Sequence, residues 1–243
     1  KPAYEDGQPA QYHKTKLLYS RWKANGAQSI IYDAVTMLDA VRRGADTIVL
    51  LGISGAIALP LIRLVSKAHI VTNIDGIEWR RDKWQGFARW FLRQSERWAI
   101  RFSHTIVTDN QGIADHVTAT YGLNPCVIEY GGDHAVAVHE GSADVDLAQM
   151  YGVPENYAFS LCRIEPENNV HLVLEAFSKT DRPLVFVGNW DNSAYGQALK
   201  EQYQSYPNIW IIDPTYDPNV LHRLRSQAAY YIHGHSAGGT NPS

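Results

Sequence analysis

Short apolar, β-branched runs alternate with stretches of helical periodicity along most of the chain. Thr47-Ile48-Val49-Leu50-Leu51 predicts a buried strand, followed by a Gly-containing turn at 52–55 and an apolar helix at about 56–65. Further strands are expected at 68–73, 104–108 and 125–130, with helices at 82–102 and 110–121, the second closed by Gly122. The strands read as continuous apolar segments rather than as alternating ones. With a helix between each pair, that predicts a parallel sheet covered on both faces.

The rhythm breaks at Gly131-Gly132-Asp133-His134, which opens an Ala-rich, acidic stretch reaching Asp146. Afterwards it restarts, with strands expected at 157–161, 183–187, 208–212 and 228–232 and helices at 168–177, 192–203 and 217–226. The expected fold class is α/β, with two doubly wound Rossmann-like domains spanning 1–134 and 135–243.

Composition narrows the picture modestly. A chain of 243 residues with 45% hydrophobic and 19% charged residues is ordinary for a globular protein. A net charge of -3 gives no basic field for nucleic acid. Cys126 and Cys162 each sit in an apolar run and read as buried free thiols of a reducing, cytoplasmic compartment. No run approaches the ~18 apolar residues of a membrane span. The chain opens on Lys1 without Met and stops after Asn241-Pro242-Ser243, where Asn and Pro would start a helix. It is therefore expected to be cut short at both ends.

In doubly wound sheets ligands bind beyond the carboxyl ends of the strands, so the candidate chemistry lies in the loops that follow them. Gly52 and Ser54 form either an anion-approach turn or a simple tight turn. Asp75 and Glu78 follow the next strand. A carboxylate there can orient or deprotonate a hydroxyl, while helix capping and pairing of Glu78 with Arg80 or Arg81 are the structural alternatives. Asn110 is either a site residue or the cap of its helix.

In the second half, Arg163 lies just past a strand end. Its guanidinium suits a diphosphate, or it pairs with Glu165 or Glu167. Gly188 and Asn189 end the next strand, where a ligand can approach the backbone. The last strand leads into His233, His235, Ser236, Gly238, Gly239, Thr240 and Asn241. Backbone N–H groups ahead of a predicted helix make an anion cradle there. His233 and His235 suit phosphate or sugar hydrogen bonding; two histidines without further ligands do not suggest a metal site.

The helix at 82–102 carries Trp84, Phe87, Phe91, Trp98 and Phe102 at helical spacing. Arg89, Arg93, Arg97 and Arg101 face only Asp82 and Glu96 in opposing charge. Such a helix lies on an anionic membrane surface, with Trp84, Arg89, Arg93 and Arg97 facing it, or else packs its aromatics on the sheet.

Several runs, taken in order, resemble the rhamnosyltransferase branch of the retaining GT-B glycosyltransferases, which are family 4-like. They are Ile31-Tyr32-Asp33-Ala34-Val35, 51–56, 73–79, 109–113, 130–134, 163–169 and 233–243. The resemblance implies an N-terminal acceptor domain, a C-terminal nucleotide-sugar domain and a cleft between them. It implies transfer of L-rhamnose from dTDP-L-rhamnose to a lipid-linked saccharide of a bacterial surface polysaccharide, with retention and without a metal or other cofactor. Asp75 and His233 take the catalytic positions. Arg163, Glu167, Asn168, Gly188, Asn189, His235, Ser236, Gly238, Gly239, Thr240 and Asn241 surround the donor; Gly52, Ser54, Glu78 and Asn110 meet the acceptor. The enzyme is placed on the inner face of the cell membrane.

Two departures stand out. The Lys that many relatives place five residues after the arginine is Asn168 here. The first of the paired glutamates near the pyrophosphate is Gly238, and the second falls beyond Ser243. The rival readings are a two-domain small-ligand binding protein without chemistry, and a sugar-nucleotide epimerase of the same fold.

Overall fold

The computed structural model describes residues 7–24, 26, 28–81, 84–136 and 145–235. They fall into two compact units, Lys1–Ile128 and Glu129–Ser243.

Unit 1 opens with a two-stranded antiparallel ribbon, β1 (Gln11–Tyr12) and β2 (Thr15–Lys16). Helix α1 (Gln28–Arg42) follows and buries Met37. The expected strand-and-helix rhythm starts at Thr47, so neither element is among the predictions, although Ile30, Ala34, Met37, Leu38 and Val41 recur at helical spacing in α1. The sheet consists of β3 (Thr47–Leu51), β4 (His69–Ile74), β5 (Thr105–Thr108) and β6 (Cys126–Val127), parallel and in sequence order. Helices α2 (Leu59–Val65), α3 (Gly86–Phe102) and α4 (Gln111–Tyr121) connect them. Ile48 pairs with Ile70 and Leu50 with Thr72 across β3 and β4. Ile48, Leu50, Ile70, Ile74 and Ile106 meet Leu59, Ile62, Ala99, Ile113 and Val117 in one core.

Two expectations change in unit 1. β3 alternates, with Ile48 and Leu50 buried but Val49 and Leu51 59% and 75% exposed. It is the edge strand of the described sheet, and its second face lacks cover there. β6 pairs over only two residues, and Cys126 on it is exposed rather than buried. Cys162 is half-buried, and burial pushes its thiol up to about 12. Both thiols are free.

Unit 2 begins with α5 (Asp133–Val136) and α6 (Leu147–Tyr151). Its sheet has the order β10-β7-β8-β9, all parallel: β10 (Ala228–Tyr231), β7 (Tyr157–Leu161), β8 (Leu184–Val187) and β9 (Ile209–Ile212). Helices α7 (Val170–Ser178), α8 (Ala194–Tyr203) and α9 (Pro218–Ser226) link them. β8 is buried at every position. Its side chains alternate between two cores: Leu184 and Phe186 pack with Val170, Leu174 and Trp190, while Val185 and Val187 pack with Tyr157, Phe159, Val220 and Leu224. This two-sided burial is what a doubly wound sheet requires and why β8 is apolar throughout. Trp190, fully buried, donates its indole N–H to the Ile212 carbonyl at 3.0 Å.

Candidate functional site

The topology of unit 2 marks one place for a ligand. From β7 the chain crosses to β8 and β9 on one side, whereas β10 returns to pair with β7 on the other. In doubly wound sheets such a reversal of strand order makes a crevice at the carboxyl ends of the two strands. Arg163 follows β7, and His233, Gly234 and His235 follow β10.

The β7 loop is held firmly. The Asn168 side chain, buried, donates to the Arg163 carbonyl at 2.7 Å. The Asn189 side-chain oxygen accepts the Ile164 N–H at 2.8 Å. At Gly188 a Cβ would stand 2.3 Å from Ile164 Cδ1, so that glycine makes room for the Arg163 loop. Asn168 and Asn189 thus each brace the loop through one backbone hydrogen bond, and Gly188 leaves it room. Glu167 is half-buried beside them. Asn169, with φ of 52°, reaches across to donate to the Gly234 carbonyl at 2.8 Å, tying the β7 loop to the β10 loop.

Arg163 itself projects outward. Its side chain is 69% exposed, and its contact with Glu165 is long at 3.8 Å. The rings of His233 and His235 stack with centroids 4.0 Å apart. Desolvation, then the neighbouring charges of His233 and Arg163, lower the His235 pKa, so this ring favours its neutral form. Among the described residues, no hydrogen-bond partner meets the buried Nδ1 atom of His235. A neutral imidazole and an outward guanidinium at one crevice can receive a phosphate oxygen and a hydroxyl. Ser236, Gly238, Gly239, Thr240 and Asn241 lie outside the described residues.

In unit 1 the turn after β3 is pinned from α1. Ser54 donates its hydroxyl to Asp33 Oδ2 at 2.7 Å, and the same carboxylate accepts the Gly55 N–H. Burial nonetheless raises the Asp33 pKa. Asp33 falls within the 31–35 run that carries the family resemblance, where no site role is expected of it, and it stands out as an acid within an apolar helical stretch. Gly52 takes φ of 89°, which favours glycine, and a Cβ there would lie 3.9 Å from Asp75 Oδ1.

Asp75 follows β4. Its surface is open to solvent, but the surrounding chain desolvates the carboxyl and raises its pKa. Glu78 and Asp109 add to the rise, and Arg81 opposes it. Glu78 accepts from Arg81 Nη1 at 2.9 Å and from Trp84 Nε1 at 3.4 Å, so it ties down its own loop. Asn110 caps α4, accepting the Ile113 N–H at 2.9 Å, and donates its amide to Asp109 at 2.9 Å. Asp109 is 1% exposed.

The basic helix α3 packs Phe102 against the core and half-buries Phe91, but its other aromatics are not buried. It buries Ser95, Glu96 and Ala99, and leaves Phe87 and Trp90 76% and 56% exposed. Arg89 donates to the Trp84 carbonyl at 2.9 Å, Arg93 lies over the Trp79 ring, and Arg97 donates to Gln94. No described helix is long and apolar enough to cross a membrane. Among the described residues no group of three His, Cys, Asp or Glu is placed to hold a metal ion.

The model of a domain of unknown function, DUF1972, matches residues 20–133. No curated protein matches the chain. Solved structures match it by shape. Sucrose-phosphate synthase from Thermosynechococcus elongatus is similar at a TM-score of 0.72 and 11% identity, covering 93% of this chain and 63% of its own. HepE from Anabaena, in complex with UDP and glucose, reaches 0.62 at 12% identity, with 87% and 59% covered. UDP-N-acetylglucosamine 2-epimerase from Rickettsia bellii reaches 0.54 at 12% identity, with 85% and 56% covered. The chain thus spans less than two thirds of the length of each. Likeness at such identities speaks to architecture, and the architecture is the α/β GT-B fold with Rossmann-like domains.

Proposed function

We propose that this chain is the larger part of a retaining glycosyltransferase that uses a nucleotide-sugar donor. The observation that carries the reading is Arg163, held outward at the strand reversal of unit 2 beside the stacked pair His233 and His235. A sugar nucleotide leaves as a diphosphate, and the charge that develops on it needs fixed positive partners. Arg163 supplies a forked donor set, backbone N–H groups supply more, and His233 faces the sugar. HepE, a structure of the same fold, is described in complex with UDP and glucose, which supports a nucleotide sugar as ligand.

In unit 1, Asp75 has its pKa raised by desolvation. That suits a carboxylate that orients and accepts the proton of an acceptor hydroxyl. The finer assignment is L-rhamnose transfer from dTDP-L-rhamnose to a lipid-linked saccharide at the inner membrane face. It rests on the sequence resemblance and on the exposed aromatic and basic residues of α3.

The test is calorimetric titration with dTDP, UDP and GDP, repeated on Arg163→Ala. Removing a charged hydrogen bond should weaken binding about tenfold or more, with dTDP preferred. Equal binding by the variant would sink the assignment of Arg163. An epimerase would instead convert the nucleotide sugar with no acceptor present, which a donor-only incubation detects.

A further inference from the structure

Unit 1 holds a cavity of about 630 Å³ between the β4 loop, α3 and α4. Its walls carry the guanidinium groups of Arg80, Arg93, Arg97 and Arg101 around Trp79 and Tyr121. None of these residues belongs to the Asp75 set or to the crevice of unit 2.

The floor is built around one buried acid. Glu96 is 0% exposed and accepts from Trp79 Nε1 at 2.9 Å, His116 Nε2 at 3.1 Å and Tyr121 Oη at 2.5 Å. Those three donors satisfy the carboxylate from within and fix Trp79 and Tyr121 as walls. The guanidiniums of Arg80 and Arg93 then lie over the Trp79 ring at 5.2 and 5.3 Å from its centre. Stacking on a fixed indole limits where these arginines point.

Among the described residues, no carboxylate lies within ion-pair distance of Arg80, Arg93, Arg97 or Arg101. Four guanidiniums stand over the single floor acid, Glu96, and gathering this excess of like charge around one cavity is unfavourable until an anion enters. Every cation on the wall is an arginine, the side chain whose fork matches phosphate oxygens. The cavity also exceeds a bare phosphate, and Trp79, Ile100 and Tyr121 offer apolar wall to an attached organic group.

We infer that this cavity is a binding site for a phosphate monoester or diphosphate, carried either by a lipid headgroup or by a soluble molecule. The inference does not depend on the transferase reading, and its test uses the Arg163→Ala chain so that the unit 2 crevice is weakened as a reporter.

In that background, inorganic pyrophosphate is titrated by calorimetry into the parent and into Arg93→Gln/Arg97→Gln/Arg101→Gln. Binding by the parent, weakened about tenfold or more in the triple variant, is expected. Arg42→Gln, an exposed arginine on another helix, should change nothing. Thr120→Glu sets a negative charge at an exposed wall position without touching an arginine, and should weaken binding as well. Flotation with phosphatidylcholine vesicles carrying phosphatidic acid, or phosphatidylserine at matched surface charge, separates the two sources. Arginine-dependent preference for phosphatidic acid identifies a lipid headgroup; pyrophosphate binding without that preference identifies a soluble ligand. A parent that binds neither probe, or folded variants that bind like the parent, would overturn the site.

Discussion

Asp33 and Gly55 are locked together: a Cβ at Gly55 would stand 2.2 Å from Asp33 Cβ. The contact joins α1 to the turn after β3, and Asp33 also accepts from the Ser54 hydroxyl at 2.7 Å. The clash would fall on Cβ rather than on a movable side-chain tip, so an added methyl has to displace the helix. Gly55→Ala should therefore destabilise unit 1 by about 1–3 kcal/mol, the usual cost of overpacking. Thermal unfolding checks this; an unchanged midpoint would mean that α1 yields freely.

Asp75 should show its desolvated carboxylate in a pH dependence of opposite sign to a salt-bridged acid. Its pKa is raised above the ordinary 3.8 in the folded chain. The native state then holds the proton more tightly than the unfolded state does. The contribution of this group to stability is greatest below 3.8 and falls as pH rises through the raised folded value. At neutral pH the ionised carboxylate therefore costs stability. Asp75→Asn should be more stable than the parent at pH 7, with the advantage shrinking as pH is lowered toward 3.8. Denaturant melts across that range decide it, and a variant less stable at pH 7 would refute it.

Glu96 presents the contrary case, a buried acid whose charge is satisfied. Glu96→Ala leaves Trp79 Nε1, His116 and the Tyr121 hydroxyl without their acceptor in a buried place. Stripping one member from such a buried set should cost about 3 kcal/mol or more. Glu96→Gln keeps an acceptor and should recover part of it. Equilibrium unfolding of the two variants provides the comparison, and equal stability of Ala and Gln would argue against the network.

What was legible in the sequence is what is local. Asn110 and Gly122 bracket α4 because capping is decided within one turn. Arg163 could be placed at a strand end because the run before it, 157–162, is apolar but for Ser160. The partners of Glu96 could not be read, because they come from residues 79, 116 and 121 and meet only when three elements pack. Asp33 was hidden for the same reason, since its partner Ser54 lies 21 residues away. Gly188 invites a reading as an opening for a ligand, yet the space beside it belongs to Ile164. A glycine at a strand end looks the same in sequence whether ligand or side chain takes its room.

The exposed face of α3 allows the membrane reading to be separated from the cavity. Phe87 and Trp90 are exposed with ring centroids 5.5 Å apart, and Arg89 is exposed near them. None of the three lines the arginine cavity. Each basic residue near an anionic bilayer contributes about 1 kcal/mol, and aromatic insertion adds to that. Charge reversal of Arg89, which leaves the cavity arginines in place, should thus weaken partition onto phosphatidylserine-containing vesicles by about tenfold or more. Phe87→Ser/Trp90→Ser should weaken it as well while leaving pyrophosphate binding intact. Raising the salt should erase most of the charge-dependent part and spare the aromatic part. If the aromatic variant partitions like the parent, Phe87 and Trp90 do not enter the bilayer, and the exposed rings of α3 belong to some other contact.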